Sequence, residues 1–316
     1  ISLGSINIDF QMRTDRWPEA GETLLAGNFL MTTGGKAANV AVLGRRLGGE
    51  VTLIGHVGND PLADVVLDQL GEDGIGLAHV TRLPETPTAV STIFVRPDGN
   101  KTIILASNAN LAWDEERDAE TVREVIASAP DGSVLVTDLE IPIGIVRCAM
   151  EAAHDRSFPV VLDPSPADQF ADTLGVLTSV LVPSTSEAGT LTGVAVDSLN
   201  AAERAGRALV DRGTPVVCQK LLNGGCLVVT RASSEYIPSI PVDVVDKTGA
   251  GDAFASGMGV GLLEGKAVAA AATMGVAASS LAVTAYGSRE SYPSRKRLDE
   301  MARRVTEARE ERTRQT

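Results

Sequence analysis

Val244 Val245 Asp246 Lys247 Thr248 Gly249 Ala250 Gly251 Asp252 Ala253 Phe254 reads as the junction between a strand and a helix. The β-branched run 242–245 predicts a strand end, Thr248 and the two glycines predict a helix start, and good helix formers follow from Ala253. Backbone N–H groups without an intrahelical partner project from such a start, where the macrodipole also favours negative charge. A phosphate fits there. Asp252 stands beside it, a poor neighbour for a bound anion but a suitable base for an attacking hydroxyl. Two other phosphate motifs fail. Gly34 Gly35 Lys36 is followed by Ala37, not the Ser or Thr of a P-loop, and Phe254 stands where a dinucleotide-binding turn wants its third glycine. A plain helix cap would account for Gly-Ala-Gly alone; Thr248 before it and Asp252 after it tilt the reading toward an anion site.

Upstream, strands and helices alternate. Strands are expected at 1–8, 51–57, 134–137, 160–162, 180–182 and 216–219, with helices at 36–47, 60–70, 114–128, 143–154, 185–191 and 199–211. That alternation implies βαβ units and an α/β fold whose mainly parallel sheet is covered by helices on both faces. Two β-rich excursions interrupt it, at 10–33 and at 88–105, where Pro97 Asp98 Gly99 Asn100 signals a hairpin. They are expected to pair into a small lid. From Gly249 onward the chain reads as helical, with a small-residue run at 267–278 suited to close packing. The Arg- and Glu-rich tail after Ser294 reads as a solvated, fraying helix.

Composition narrows the partners. A chain of 316 residues, 44% of them hydrophobic, buries a large core, and a net charge of −13 argues against nucleic acid or an anionic membrane. No run of about 18 apolar residues is seen, so a cytoplasmic location is expected. Cys148, Cys218 and Cys226 lack metal or redox spacing and read as buried free thiols; His56, His79 and His154 are scattered.

A second polar set lies in the N-terminal half. In Gly34 Gly35 Lys36 Ala37 Ala38 Asn39, two glycines let backbone approach a ligand, and Lys36 and Asn39 share one helix face. Asn7, Asp9 and Glu140 add polar groups at the ends of other strands. A carboxylate accepts two hydroxyl hydrogen bonds, so Asp9 with Asn7, Asn39 and Glu140 suits a polyol.

Together these two motifs, in this order and separation, resemble the paired signatures of the ribokinase (pfkB-type) family of carbohydrate kinases. Gly4–Asp9, 18–23, Leu139 Glu140, 183–193 and 287–293 add landmarks across nearly the whole chain. The resemblance implies one ribokinase-like α/β domain over 1–316, its β-sheet lid formed by about 10–34 and 88–106. It implies transfer of the γ-phosphate of ATP to a primary sugar hydroxyl, ribose first among acceptors, with fructose, a keto-deoxy sugar acid or a nucleoside as alternatives. Asp252 becomes the base and Gly249, Ala250 and Gly251 the anion hole. Asn7, Asp9, Gly35, Lys36, Asn39, Glu140 and Asp252 hold the sugar. Ser184, Lys220, Leu222, Gly225, Gly251 and Val276 fall at nucleotide positions. Glu187 organises Mg²⁺ through water, and Asp246, Thr248, Ala282, Ala285, Gly287 and Ser291 hold an activating K⁺, largely by backbone carbonyls. A homodimer through the lid is implied too.

Departures cluster on the donor side. Ser184 replaces the family's Asn, Leu222 a glycine, Lys247 a Thr or Ser, and Val276 a polar neighbour of adenine; Ala37 replaces a glycine in the sugar motif. Lys220 and Lys247 either add positive charge beside the phosphates or are simply solvated. A non-catalytic sugar or nucleotide sensor and a nicotinamide-dependent dehydrogenase are the readings from other classes.

Overall fold

A computed structural model describes residues 1–315. In chain order the elements are β1 (Ser2–Leu3), β2 (Asn7–Arg13), β3 (Gly27–Gly34), α1 (Lys36–Arg46), β4 (Thr52–Gly58), α2 (Pro61–Glu72), β5 (Gly76–Leu83), β6 (Ala89–Val95), β7 (Lys101–Ala106), α3 (Glu115–Ser128), β8 (Leu135–Thr137) and α4 (Ile143–Asp155). The C-terminal half adds β9 (Val160–Leu162), α5 (Asp172–Gly175), β10 (Val180–Leu181), α6 (Thr185–Thr192), α7 (Leu199–Asp211), β11 (Val216–Lys220), β12 (Cys226–Thr230), β13 (Ser234–Ile237), α8 (Ala250–Leu263), α9 (Val268–Ala282), α10 (Ser288–Ser291) and α11 (Arg295–Gln315).

Nine strands form the main sheet in the order β13-β12-β11-β10-β9-β8-β1-β4-β5, parallel from β11 to β5, with β12 and β13 antiparallel at one edge. Both faces are covered. Successive residues entering and along β8 feed opposite cores: Val134 and Val136 join the cluster packed by α1, α8 and α9, while Leu135 joins the one packed by α3, α4 and α7. A second sheet of four strands, β3-β2-β6-β7, stands beside it, its central pair parallel and its outer pairs antiparallel. The α/β architecture expected from the alternating pattern, a mainly parallel sheet covered on both faces, is the one observed, and Gly257 and Gly261 lay α8 closely against Met274 and Ala271 of α9.

Two strand readings need correction. Residues 1–8 are not one strand: the chain leaves the main sheet after Leu3 and enters the small sheet at Asn7, so Asn7 and Asp9 begin a strand instead of ending one. Residues 242–245 form no strand, because the amides of Val245 and Asp246 donate to the Val283 carbonyl beyond α9, and that of Lys247 to Gly99 in the β6–β7 turn. Strand β5 and the edge pair β12–β13 lie outside the strands that the sequence pattern marks.

The tail is not frayed either. In α11, Leu298, Met301 and Val305 recur at helical spacing and are buried in the core, while Arg and Glu occupy the outer face. Leu298 is 0% exposed. Leu298→Ala is therefore expected to cost about 2–5 kcal/mol and Glu307→Ala less than about 0.5 kcal/mol in urea denaturation; equal small effects would mean that the helix does not dock.

Candidate active site

A cleft of about 760 Å³ opens between the small sheet and the C-terminal ends of the main-sheet strands, lined among others by Asn7, Asp9, Lys36, Asp252, Lys220 and Ser280. It holds both motifs. Helix α8 starts here because Gly249 takes a left-handed conformation (φ 73°) at its N-cap. A Cβ at Gly249 would lie 2.7 Å from both the Ser288 Cβ and the Tyr292 Oη, so no other residue fits. The first helical bond runs from the Ala253 amide to the Gly249 carbonyl at 2.8 Å. The Gly251 and Asp252 amides thus precede it, whereas Ala250 donates weakly to Lys247 at 3.5 Å. Asn39, one turn into α1, donates to Asp252 Oδ2 at 2.7 Å and fixes the carboxylate. The two distant motifs therefore meet through one hydrogen bond.

Below them lies the polyol-type set. Strand pairing sets Asp9 between Thr32 on β3 and Ser91 on β6. A Cβ at Gly34 would fall 2.0 Å from Asp9 Oδ2, so that glycine clears room for the carboxylate. Asp9 is buried, and its Oδ1 has no partner. Burial, only partly offset by the Ser91 hydroxyl and Lys101, pushes its pKa up from 3.8 to about 7. Lys36 Nζ lies 3.5 Å from Glu140 Oε1, and Glu140 Oε2 accepts from the Ser5 hydroxyl at 2.7 Å. Burial would lower the Lys36 pKa, but Glu140, Asp252, Asp163 and Asp138 outweigh it and hold the ammonium well above its ordinary value. Gly35 caps α1 at the cleft wall.

On the far side, Lys220 Nζ pairs with Asp163 Oδ2 at 2.9 Å. A Cβ on Gly251 would lie 3.4 Å from that ammonium, which puts Lys220 at the start of α8. Burial works against its charge, yet Asp163 and Glu187 raise its pKa. It is not simply solvated. Ser184 and Glu187 form a reciprocal capping box at α6: Ser184 Oγ accepts from the Glu187 amide at 3.2 Å, and Glu187 Oε2 accepts from the Ser184 amide at 2.6 Å. Both line the cleft, as do Gly225 and Leu222, the latter 87% exposed at the rim. Lys247 reaches the Asn100 Oδ1 at 2.8 Å. Val276 must be withdrawn as a cleft residue: it is fully buried one turn before Ser279 and Ser280, which with Val283 form the α9 wall instead.

The expected monovalent-cation residues gather beside α8, with one change of role. Both Asp246 oxygens are already committed, Oδ1 to the Thr248 amide and hydroxyl (2.9 and 2.7 Å) and Oδ2 to Gln11 Nε2 and the Gly287 amide (2.6 and 3.0 Å). Its side chain ties loops together, so a cation there would have to meet backbone carbonyls, as the resemblance implies. The donor set fits a cation: Ala282 ends α9, where the dipole is negative, Ala285 and Gly287 follow, and the buried Ser288 hydroxyl beside Ser291 has no partner. For magnesium, Glu187 and Asp163, whose Oδ1 is also unpartnered, are the carboxylates flanking Lys220; among the described residues no cluster of three metal-type side chains occurs.

Five residues escaped the sequence reading. Ser5, Asn110, Ser91, Asp138 and Asp163 show no local spacing signal, because strand pairing and chain crossings bring them in. Asn110 Nδ2 donates to Asn7 Oδ1 at 2.7 Å, which orients Asn7 Nδ2 toward Ser91 Oγ at 3.1 Å.

Asp9 gives a stability signature. Its carboxyl ionises near pH 3.8 when unfolded but about 7 when folded, so the native state is penalised progressively as pH rises through that window and fully above it. Asp9→Asn should therefore raise the thermal midpoint relative to the parent chain more at pH 8 than at pH 4. An equal shift at both would remove the buried-carboxyl assignment.

Comparison with known proteins agrees with this geometry. The profile described as pfkB family carbohydrate kinase matches residues 1–295. Ribokinase of Haemophilus influenzae is 33% identical over 93% of this chain and 94% of its own length, and deoxyribokinase of Salmonella typhi is 31% identical over 94% and 96%. The structure of Arabidopsis thaliana ribokinase complexed with ribose and ATP superposes with a TM-score of 0.83 at 29% identity, covering 95% of this chain and 97% of that one. The chain belongs to the pfkB family of carbohydrate kinases.

Proposed function

We propose that this sugar kinase phosphorylates the primary hydroxyl of ribose with ATP. The observation that carries the reading is Asp252, held by Asn39 beside the free amides of α8 and across the cleft from Asp9. The 0.83 superposition on a ribose- and ATP-bound ribokinase supports the choice of acceptor and donor. In this reading Asn7, Asp9, Gly35, Lys36, Asn39 and Glu140 grip the ring hydroxyls and leave the primary hydroxyl at Asp252. Asp252 takes its proton as the oxygen attacks the γ-phosphorus, and the electron pair of the breaking bond leaves with ADP. Gly251 and its neighbours Gly249 and Ala250, with Lys220, face the developing charge.

The nucleotide lies along Ser184, Lys220, Leu222 and Gly225, its base against the apolar stretch 240–242 and the α9 wall. Glu187 and Asp163 organise magnesium through its waters, which when bound neutralises phosphate charge. Carbonyls around Asp246, Thr248, Ala282, Ala285 and Gly287, with Ser291, hold potassium and brace the start of α8. The small sheet acts as the lid of a single domain, and its outer face is also the homodimer contact: Phe29 is 63% and Ile104 66% exposed there. Among the described residues no helix is long and apolar enough to cross a membrane; use of ATP as donor supports a cytoplasmic reaction.

Incubation with ATP, Mg²⁺ and K⁺ and a sugar panel should give most product from ribose. The 31% identity to a deoxyribokinase makes 2-deoxyribose the essential comparison. Asp252→Asn should lower kcat by about 10²–10⁴-fold while retaining ribose binding by calorimetry; product from no sugar, or an unimpaired variant, would sink the reading. Replacing K⁺ by tetramethylammonium should reduce kcat, and indifference would remove the cation assignment.

A further inference from the structure

Strand β2 pairs in parallel with β6, and the register sets Ser91 beside Asp9. Both residues are buried, and both line the cleft. Ser91 Oγ accepts from Asn7 Nδ2 at 3.1 Å. Where the hydroxyl sends its own proton follows from a chain of hydrogen bonds that runs in one direction only.

The chain starts at the Ile6 amide. A backbone N–H only donates, so the side-chain atom facing it at 3.0 Å is the Asn110 oxygen, Oδ1. Asn110 Nδ2 is then left to donate to Asn7 Oδ1 at 2.7 Å, and Asn7 Nδ2 to Ser91. Neither amide can turn over without setting two donors face to face. Asn110 is also held from behind: its carbonyl accepts from Trp113 Nε1 at 2.9 Å, and the Trp113 ring stacks on His56. With Asn7 donating to its oxygen, the Ser91 hydroxyl has its hydrogen to give, and it acts as a donor on Asp9, opposing the larger upward push of burial on that carboxyl. The other groups facing Asp9 act through charge: Lys101 on β7 favours the anion, Asp252 on α8 and Glu140 beyond β8 oppose it, and the Tyr292 phenol beyond α10 senses it.

We propose that Ser91 is a positioning residue of the sugar subsite: anchored through Asn7 and Asn110 to the Ile6 amide, its hydroxyl donates to Asp9 and keeps that carboxyl an ionised acceptor for the ring hydroxyls. This rests on the sugar-kinase reading above. Ser91 need not touch the sugar. A carboxylate accepts hydroxyl hydrogen bonds about twice as strong as those of a neutral partner, so a sugar gripped by Asp9 selects the ionised form, and protonation competes with binding. Without the Ser91 donor the same buried carboxyl holds its proton to higher pH, and affinity is lost on the acid side of the profile alone. The backbone of β1–β2 thus sets, through three side chains, the charge of the group that meets the substrate.

The test uses the full chain with Ser91→Ala, Ser91→Thr, Asn110→Leu and the double variant of Ser91→Ala with Asn110→Leu. Calorimetry without nucleotide follows ribose, or 2-deoxyribose if the parent chain binds it better, between about pH 5.5 and about pH 9. Ser91→Ala should bind about tenfold more weakly than the parent at about pH 6 and within about threefold of it at about pH 9. Ser91→Thr, which keeps the donor, should follow the parent. Asn110→Leu should move the profile the same way by less, and should add nothing in the double variant. With no sugar present, Ser91→Ala should lower the thermal midpoint more at about pH 8.5 than at about pH 5, because Asp9 is protonated in both folded forms at the lower pH and only its anion gains from the hydroxyl. Equal losses of affinity at both ends of the pH range, a Ser91→Thr profile that matches Ser91→Ala, or additive shifts in the double variant overturns the inference. The expected midpoint signature in a parent chain that binds neither sugar would instead overturn the ribose reading beneath it.

Discussion

Four hydrogen bonds converge on the buried carboxylate of Asp246, and the site depends on them. They come from the Thr248 amide and hydroxyl, from Gln11 on β2 and from the Gly287 amide. A buried carboxylate is tolerated only when donors replace its water, and here the donors belong to three separate parts of the chain. Satisfying one charge therefore fixes the turn before α8, the small sheet and the loop after α9 against one another. Gly249 then completes the geometry by turning left-handed, and the α8 amides face the cleft. Desolvation and the need to repair it, rather than apolar packing, set the geometry at this junction.

Much of this was legible in the chain. Lys36 and Asn39 on one helix face, and Asp252 in the first turn of another, are local patterns, and local patterns survive folding. Their meeting through Asn39 and Asp252 followed only from the family resemblance, since nothing in the spacing relates residues 213 positions apart. The resemblance makes Ser184 and Glu187 a nucleotide and metal pair, but Ser-x-x-Glu is equally a capping box, which the pattern itself announces.

The misreadings share a cause. Residues 1–8 look like one strand because Leu3, Ile6 and Ile8 are all apolar; they feed different layers, and a turn at residues 4–6 that hydropathy does not mark separates them. Residues 242–245 have strand-forming side chains, but the Val245 amide is spent on the Val283 carbonyl, a partner supplied by tertiary structure. Asn110, Asp138 and Asp163 were invisible for the same reason, each being one polar residue near the end of an element. The tail was misjudged by its charge: only Leu298, Met301 and Val305, one residue per turn, decide that it docks.

The crossing of the chain between sheets also divides the pocket mechanically. Asn7 and Asp9 ride on the small sheet, whereas Asn39 and Asp252 ride on helices packed to the large one. Under the roles proposed above, a sugar touching Asp9 and Asp252 together becomes a strut between two bodies. Water is too short to serve as one. An acceptor is then selected by its length as well as its reactivity: only a molecule that reaches from Asp9 to Asp252 is gripped at both ends, and water is not.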